Sequence, residues 1–213
     1  MTTDALTRTD PSGLAGDDVL RDLAGIPADS PVDRLRDLRP VARREAQAAY
    51  DLLFRPADDA EVGAVERLAV AVFVAALHRD GRAVTHYERE LRAAGGSDAL
   101  VAALTDEADA AAPPGPVGTY REPGLAAESV PAPPYRATAR DVLGERLAAA
   151  LEHARLLVLH PRDARPERLG ALVAAGWSAT GVVTLSQLVS YLAFQLRAAA
   201  GLSVLHTTPG EPR

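Results

Sequence analysis

The stretch ERLAVAVFVAALHRDGRAVTHYEREL, residues 66–91, decides the fold class of this chain. In its first half, apolar residues recur at helical spacing and form one stripe: Val65, Leu68, Ala69, Val72, Phe73, Ala76 and Leu77. The Asp80-Gly81 step interrupts this pattern, and a second helix is predicted from about Arg82, with His86 beside its apolar side. That side consists of Val84, Tyr87 and Leu91. The stretch therefore predicts two helices that form an antiparallel hairpin.

Charged and polar residues around this break form a candidate site. Glu66 lies at the start of the first predicted helix and His86 lies early in the second. Both are candidate catalytic residues, because a carboxylate and an imidazole can transfer protons near neutral pH. Arg79 and Arg82 are candidates for holding the carboxylate of an anionic substrate, since a guanidinium binds a carboxylate bidentately. Tyr87 is a further candidate for substrate binding.

The same five residues also fit structural roles, and the sequence leaves both interpretations open. A carboxylate such as Glu66 favours the dipole in the first turn of a helix, and it can form an ion pair with Arg82. His86 fits a hydrogen-bonded residue on the flank of a packed helix. Arg79 and Arg82 fit ordinary surface ion pairs. Tyr87 fits a core or interface aromatic residue whose hydroxyl finds a partner.

Composition narrows the class of protein. Of 213 residues, 47% are hydrophobic and only 4% are aromatic, which favours helices packed closely through small side chains. A net charge of −6 and a pI near 5.4 argue against a nucleic-acid partner, because no basic stripe is available to neutralise phosphates. The chain has no cysteine, which excludes disulfides, thiolate metal sites and thiol redox chemistry by this chain alone.

The histidines and the apolar runs argue against two further kinds of site. His153 and His160 show no metal-type pairing with the other histidines, so we expect no metal site, and His78 is expected to face solvent. The N-terminus MTTDALTRTDPSG is polar and has no signal-peptide pattern. The apolar runs contain polar residues and are expected to be too short to span a bilayer. We therefore expect a soluble cytoplasmic protein with no membrane partner.

No strand alternation occurs along the chain, so the sequence predicts an all-α fold. We predict a flexible tail over 1–16, an N-terminal helical half over 17–110, a Pro/Gly-rich connector over 111–136, a C-terminal helical half over 137–205 and a polar tail over 206–213. The connector contains apolar residues, which favours an ordered loop over the surface or over a neighbouring subunit rather than a mobile linker.

Capping residues predict where the helices begin and end. The predicted N-caps are Ser30, Ser97, Thr138 and Ser178. The predicted C-terminal stops are Gly25, Gly176 and Gly201. The last helix is apolar over more than a narrow stripe between 182 and 196, so it must be covered on all sides. Either a second copy of the chain or the other half of the same chain can provide that cover.

Two segments resemble the carboxymuconolactone decarboxylase (CMD) and alkylhydroperoxidase-D-like superfamily. VERLAVAVFVAALHRDGRAVTHY, residues 65–87, is similar to its core helical hairpin, in which the active-site helix ends in a histidine. The longer segment 156–205, which contains LLVLHPRDARPERLGALVAAGWS and TLSQLVSYLAFQLRAAAGL, is similar to the repeated domain of the superfamily. With GPVGTY at 115–120, these features resemble a cysteine-free, two-part subgroup of CMD domain proteins. The resemblance implies two related helical halves and a homo-oligomer, most simply a two-fold dimer.

The chain departs from the pattern of the peroxidases in this superfamily. Those members carry Cys-x-x-Cys with a histidine four residues after the second cysteine, and the matching positions before His86 are Arg79 and Arg82. A peroxidatic centre needs a thiolate and a resolving thiol, and a protonated guanidinium supplies neither. This departure from the family pattern therefore predicts no thiol peroxidase activity, and we expect no cofactor.

Two classes of function remain open. In the first, the chain is a non-redox or degenerate family member that binds a small molecule or supports an oligomer, either with itself or beside a cysteine-containing CMD relative. In the second, it is a cofactor-free acid–base enzyme, similar to a decarboxylase or isomerase, that acts on a small anionic substrate. A pocket in which Glu66, His86 and an arginine converge would favour the enzyme. A filled interior with Glu66 and Arg82 paired at the surface would favour the binding protein.

Overall fold

The computed structural model describes residues 18–112 and 117–208. Over these ranges the fold is all-α, as predicted, with nine α-helices, two short 3-10 helices and no β-strand. The α-helices are α1 Val19–Ala24, α2 Pro31–Arg36, α3 Pro40–Phe54, α4 Ala64–Leu77, α5 Gly81–Ala93, α6 Asp98–Ala111, α7 Arg140–Leu159, α8 Pro166–Ala174 and α9 Ala179–Thr207. The 3-10 helices are Pro123–Glu128 and Pro161–Asp163.

Helix α4 is the centre of the molecule. It contacts α3, α5, α6, α7 and α9, and every residue from Ala69 to Ala75 is fully buried. The predicted apolar stripe is therefore only part of the buried surface, because the middle of this helix is covered on all sides. Most residues in this buried part of α4 are alanine or valine, and such small side chains allow the neighbouring helices to approach closely.

The predicted break between the two central helices is present. Residues 78–80 connect α4 to α5, and the two helices pack against each other. Arg79 has a φ of 56°, in the left-handed region, which turns the chain sharply. The Asp80 carboxylate then accepts a hydrogen bond from the Ala83 N–H at 3.0 Å and caps α5.

Most of the predicted caps form, but two predicted boundaries are wrong. Ser30, Ser97 and Ser178 each accept a hydrogen bond from a backbone N–H in the first turn of α2, α6 and α9. Thr138, in contrast, does not cap α7, because its N–H and hydroxyl both donate to the Glu107 carboxylate. Gly201 does not end α9, which continues to Thr207 because a glycine can occupy a helix interior at a modest cost.

Residues 117–136 cross from α6 to α7 without a long helix, as the prolines predicted. An isolated antiparallel bridge joins Gly118 and Val130. Near the end of the segment, the Tyr135 ring lies 6.3 Å from the Phe73 ring, and its hydroxyl donates to Glu107 at 2.8 Å. Residues 113–116 of the predicted connector, the predicted tail over 1–16 and the end of the predicted tail over 206–213 lie outside the described residues.

Helix α9 is longer than the sequence predicted. Its 29 residues make it long and apolar enough to cross a membrane by length and composition alone, so the expectation that every apolar run is too short was wrong. One side of α9 packs against α1, α4 and α7. Buried residues on that side are Leu185, Leu188, Val189, Leu192 and Leu196. Its other side leaves apolar residues exposed, including Val183 and Phe194.

Candidate functional site

A cleft of about 580 Å³ lies between α1, α3 and α5. We call it the His86 cleft. It contains two of the residues that the sequence singled out, His86 and Arg82. The other titratable groups that line it are Asp22, Tyr50, Arg55, Arg89 and Glu90. Three guanidinium groups and two carboxylates therefore line the cleft. Arg55 pairs with Asp51 at 3.3 Å and Arg89 pairs with Glu90 at 3.2 Å.

The hydrogen bonds of His86 determine its tautomer. Arg89 Nη2 lies 3.2 Å from His86 Nδ1, and because a guanidinium can only donate, Nδ1 must be the unprotonated nitrogen. The ring proton then belongs to Nε2, which lies 3.2 Å from the hydroxyl of Tyr50 and donates to its oxygen. The Tyr50 hydroxyl hydrogen is left free to donate to a molecule in the cleft.

Both members of this pair are neutral at physiological pH. Burial lowers the pKa of His86, and the nearby Arg89 lowers it further against the opposing effect of Glu90. Burial, followed by the Glu90 carboxylate, raises the pKa of Tyr50 to about 12. Tyr50 is therefore a hydrogen-bond donor near pH 7, and it is not a base.

Arg82 brings a positive charge to the mouth of the cleft. Its guanidinium passes so close to Gly25 that a Cβ on that residue would lie 1.9 Å from Arg82 Nη1. Its nearest backbone acceptor is the Leu23 carbonyl, at 3.4 Å. Within the described ranges, no carboxylate lies within ion-pair distance of Arg82. The predicted surface ion pair of Arg82 does not form, and its charge can be neutralised by an anionic ligand.

Glu66 lies elsewhere in the molecule. Its carboxylate accepts from the Gly63 N–H at 3.1 Å and thereby caps α4. The second oxygen accepts from Arg146 Nε at 2.6 Å, so the ion pair predicted with Arg82 is wrong and the partner comes from α7. Glu66 and Arg82 occupy the first turns of two consecutive helices, and the length of α4, about 20 Å, separates them. Glu66 does not line the His86 cleft.

Tyr87 and Arg79 are also outside the cleft. Tyr87 is fully buried, and its hydroxyl donates to the Gln195 side chain, which fits its structural interpretation. Arg79 is exposed at the α4–α5 connection, beside His78 and Arg197. The expectation that His78 faces solvent is wrong. Its Nδ1 lies 2.8 Å from the Val74 carbonyl, and its Nε2 is buried without a partner in the described part of the chain.

Sequence reasoning missed both hydrogen-bond partners of His86 in the cleft. Arg89 follows His86 by three positions on one helix, and this i, i+3 spacing was a usable signal. Tyr50 lies on α3, 36 residues before His86, and only the packing of α3 against its neighbours brings the two side chains together.

A search of the described residues finds no group of three or more histidine or acidic residues that could hold a metal ion.

Comparisons with protein-family models, with curated proteins and with solved structures find no match. The resemblance to the CMD superfamily therefore stays a prediction. The chemistry of the cleft is independent of it. A neutral histidine orients a tyrosine hydroxyl, and an arginine without a carboxylate partner lies beside them. This arrangement can bind a small anion.

Proposed function

We propose that this chain is a non-redox member of the CMD superfamily that binds a small organic carboxylate in the His86 cleft. The observation that carries the proposal is the combination of Arg82, which has no carboxylate partner among the described residues, with the free hydroxyl hydrogen of Tyr50. A carboxylate offers two oxygens, one for each of these donors, and charge-assisted hydrogen bonds are the strong ones.

Binding is favoured over acid–base catalysis by the surroundings of His86. A general base needs a lone pair directed at the substrate. Here Arg89 occupies the lone pair of Nδ1, and Nε2 donates to Tyr50. Glu66, the second catalytic candidate, is held in a cap and an ion pair outside the cleft. The enzyme is therefore the second candidate, and a lactone acid is its substrate class.

The proposal includes a homo-oligomer, most simply a two-fold dimer. Leu169 of α8 and Val183 of α9 are exposed in one groove, and Val173 and Phe194 are exposed further along the same two helices. Contiguous exposed apolar surface is uncommon on monomeric proteins, and a two-fold axis would place the same residues of two copies against each other. A second copy of this chain is the occupant that we propose, and a cysteine-containing relative is the alternative partner.

Calorimetry with benzoate, and with benzamide as its neutral isostere, tests ligand binding. Benzoate should bind the wild-type protein, and Arg82→Gln should weaken it by about tenfold, the factor for one charge-assisted hydrogen bond. Arg44→Gln is the matched control, because among the described residues this exposed arginine pairs only with its neighbour Glu45, and it does not line the cleft. Equal affinity in Arg82→Gln and wild type would contradict the proposal.

Release of CO₂ from a lactone acid tests the enzyme. We expect no release above the buffer rate, because His86 has no free lone pair for a substrate. A release rate that scales with protein and is lost in His86→Gln would favour the acid–base enzyme instead.

A further inference from the structure

A second cavity, of about 650 Å³, lies in the C-terminal half of the chain. We call it the His160 cavity. It is bounded by α7, α8 and the segment 131–136, and it shares no lining residue with the His86 cleft. Part of its wall is apolar and consists of Pro131, Pro133, Pro134, Ala149, Leu156 and Ala171. None of the residues proposed for the first site contributes to it.

A buried guanidinium without a counter-charge lines this cavity. Arg155 is only 4% exposed. Its Nε donates to the Ala111 carbonyl at 2.8 Å, and its Nη1 donates to His160 Nε2 at 3.1 Å. Across residues 18–112 and 117–208, no carboxylate lies within 4 Å of it and Nη2 has no acceptor. Burial lowers the pKa of Arg155, yet a guanidinium remains protonated, so its charge is desolvated; the Tyr135 ring, whose centroid lies 5.3 Å from Arg155 Cζ, offsets part of that cost.

The two histidines of the cavity differ in how their ring nitrogens are partnered. His160 accepts from Arg155 through Nε2, so its proton lies on Nδ1. That proton faces an Asp163 carboxylate oxygen 3.3 Å from Nδ1, at an angle that is poor for a hydrogen bond. Ser186 donates its hydroxyl hydrogen to Val182, so its oxygen accepts from His153 Nε2 and leaves His153 Nδ1 as an acceptor. This Nδ1 is buried without a partner in the described ranges, and because it is an acceptor it cannot bond to a carboxylate.

The buried Arg155 guanidinium, which has no carboxylate partner among the described residues, points to an anionic ligand, because buried charges in native proteins are nearly always paired. The charged residues around the mouth of the cavity indicate the sign of the ligand's charge. Arg165 and Arg168 line the cavity, and no carboxylate among the described residues lies within 4 Å of either. Glu152, on the opposite wall, is already neutralised by Arg136 at 2.5 Å and by Arg140 at 2.6 Å. Asp163 and Glu167 also line the cavity, so Arg155, Arg165 and Arg168 face two carboxylates and leave a surplus of one positive charge.

We propose that the His160 cavity is a second ligand site, which binds a small monocarboxylate with a compact apolar body. The carboxylate pairs with Arg155 and neutralises its buried charge, with Arg168 at the mouth. The apolar body lies against the proline wall and Ala171. His160 is a positioning residue, because its Nε2 holds Arg155 in place. This inference does not rest on the function proposed for the His86 cleft.

The test uses sodium benzoate as the probe and the full chain labelled with ¹⁵N at histidine. Ring ¹⁵N signals of His153 and His160 report the cavity, and those of His86 report the cleft. We expect saturable shifts of the His153 and His160 signals with benzoate. Benzamide should bind at least about tenfold more weakly, as expected for the loss of one charge-assisted contact.

Two variants locate the site. Ala171→Phe places a ring in the cavity from an exposed position on α8, and it should abolish the His153 and His160 shifts while those of His86 persist. Arg155→Gln should weaken benzoate by at least about tenfold. If Arg155→Gln unfolds the chain, as circular dichroism would show, the proposal is tested by Ala171→Phe and by the comparison with benzamide. Arg197→Gln, outside both sites, is the control.

Three results would overturn the inference. The first is the absence of a saturable shift at His153 and His160 in the wild type, even with His86 shifting, which would leave the first proposal intact. The second is equal affinity for benzoate and benzamide. The third is unchanged benzoate binding in Ala171→Phe.

Discussion

Replacing Glu107 with glutamine should destabilise the junction of the two halves of the chain. Glu107 is 2% exposed on α6. One of its oxygens accepts from the Thr138 N–H at 2.6 Å, the Thr138 hydroxyl at 2.7 Å and the Ala139 N–H at 2.7 Å. The other accepts from the Tyr135 hydroxyl at 2.8 Å. This carboxylate therefore caps α7 from a different helix and fixes the end of the segment 117–136.

The expected loss in the free energy of unfolding follows from these four hydrogen bonds. The amide oxygen of glutamine can keep the three bonds from Thr138 and Ala139, but each becomes a neutral bond and loses about half of its strength. The amide N–H₂ group faces the Tyr135 oxygen, so that hydroxyl must rotate to accept. A total loss of about 3 kcal/mol is expected, at up to about 1 kcal/mol a bond. For a domain of this size that is a fall in Tm of about 6–12 °C.

Thermal and guanidinium unfolding at fixed protein concentration measure the effect. Glu45→Gln is the matched control, since within the described ranges this exposed carboxylate pairs only with Arg44, and its replacement should change the free energy of unfolding by less than about 0.5 kcal/mol. If Glu107→Gln lies within about 0.5 kcal/mol of the wild type, the capping argument is wrong.

Acid should remove the same stabilisation. Burial raises the pKa of Glu107, but hydrogen bonds from Ala139, Thr138 and Tyr135 outweigh it and hold the pKa below its usual value of 4.5. A depressed pKa in the folded state contributes stability that is complete above about pH 5 and is lost as the pH falls through the folded-state value. The difference in Tm between wild type and Glu107→Gln should therefore narrow below about pH 4. A constant difference from pH 7 to pH 3 would contradict this assignment.

Three further predictions concern the core, the chemistry and the assembly. Tyr87→Phe leaves the buried Gln195 side chain without its donor and should lower the free energy of unfolding by about 1–2 kcal/mol in urea; an unchanged midpoint would contradict it. Purified protein should not reduce hydroperoxides with a dithiol, because the chain has no cysteine; turnover that scales with protein would refute this. Light scattering should give about twice 22.4 kDa, and a constant mass of 22.4 kDa across concentrations would exclude the dimer.

Local sequence rules determined the helices of this protein. The serines at 30, 97 and 178 and the Asp80-Gly81 break give the correct boundaries, because a cap is formed by atoms three or four residues apart. The rules failed where a distant residue intervened. Thr138 has the right chemistry for a cap, but Glu107, 31 residues earlier, takes its donors and caps α7 itself. Gly201 fails as a stop because a single glycine does not by itself end a helix.

Only the tertiary structure decided the sites. His86 and Arg89 are neighbours on one helix, so the sequence contains half of the first cleft. Tyr50, which lies 36 residues from His86 in the chain, contacts its ring. Arg146, which lies 80 residues from Glu66, donates to its carboxylate. Side-chain partners at such separations are fixed by how helices pack, and the pattern of apolar residues along one helix does not specify which neighbour covers it. The sequence therefore predicted the residue types of a site, and packing selected which of them meet.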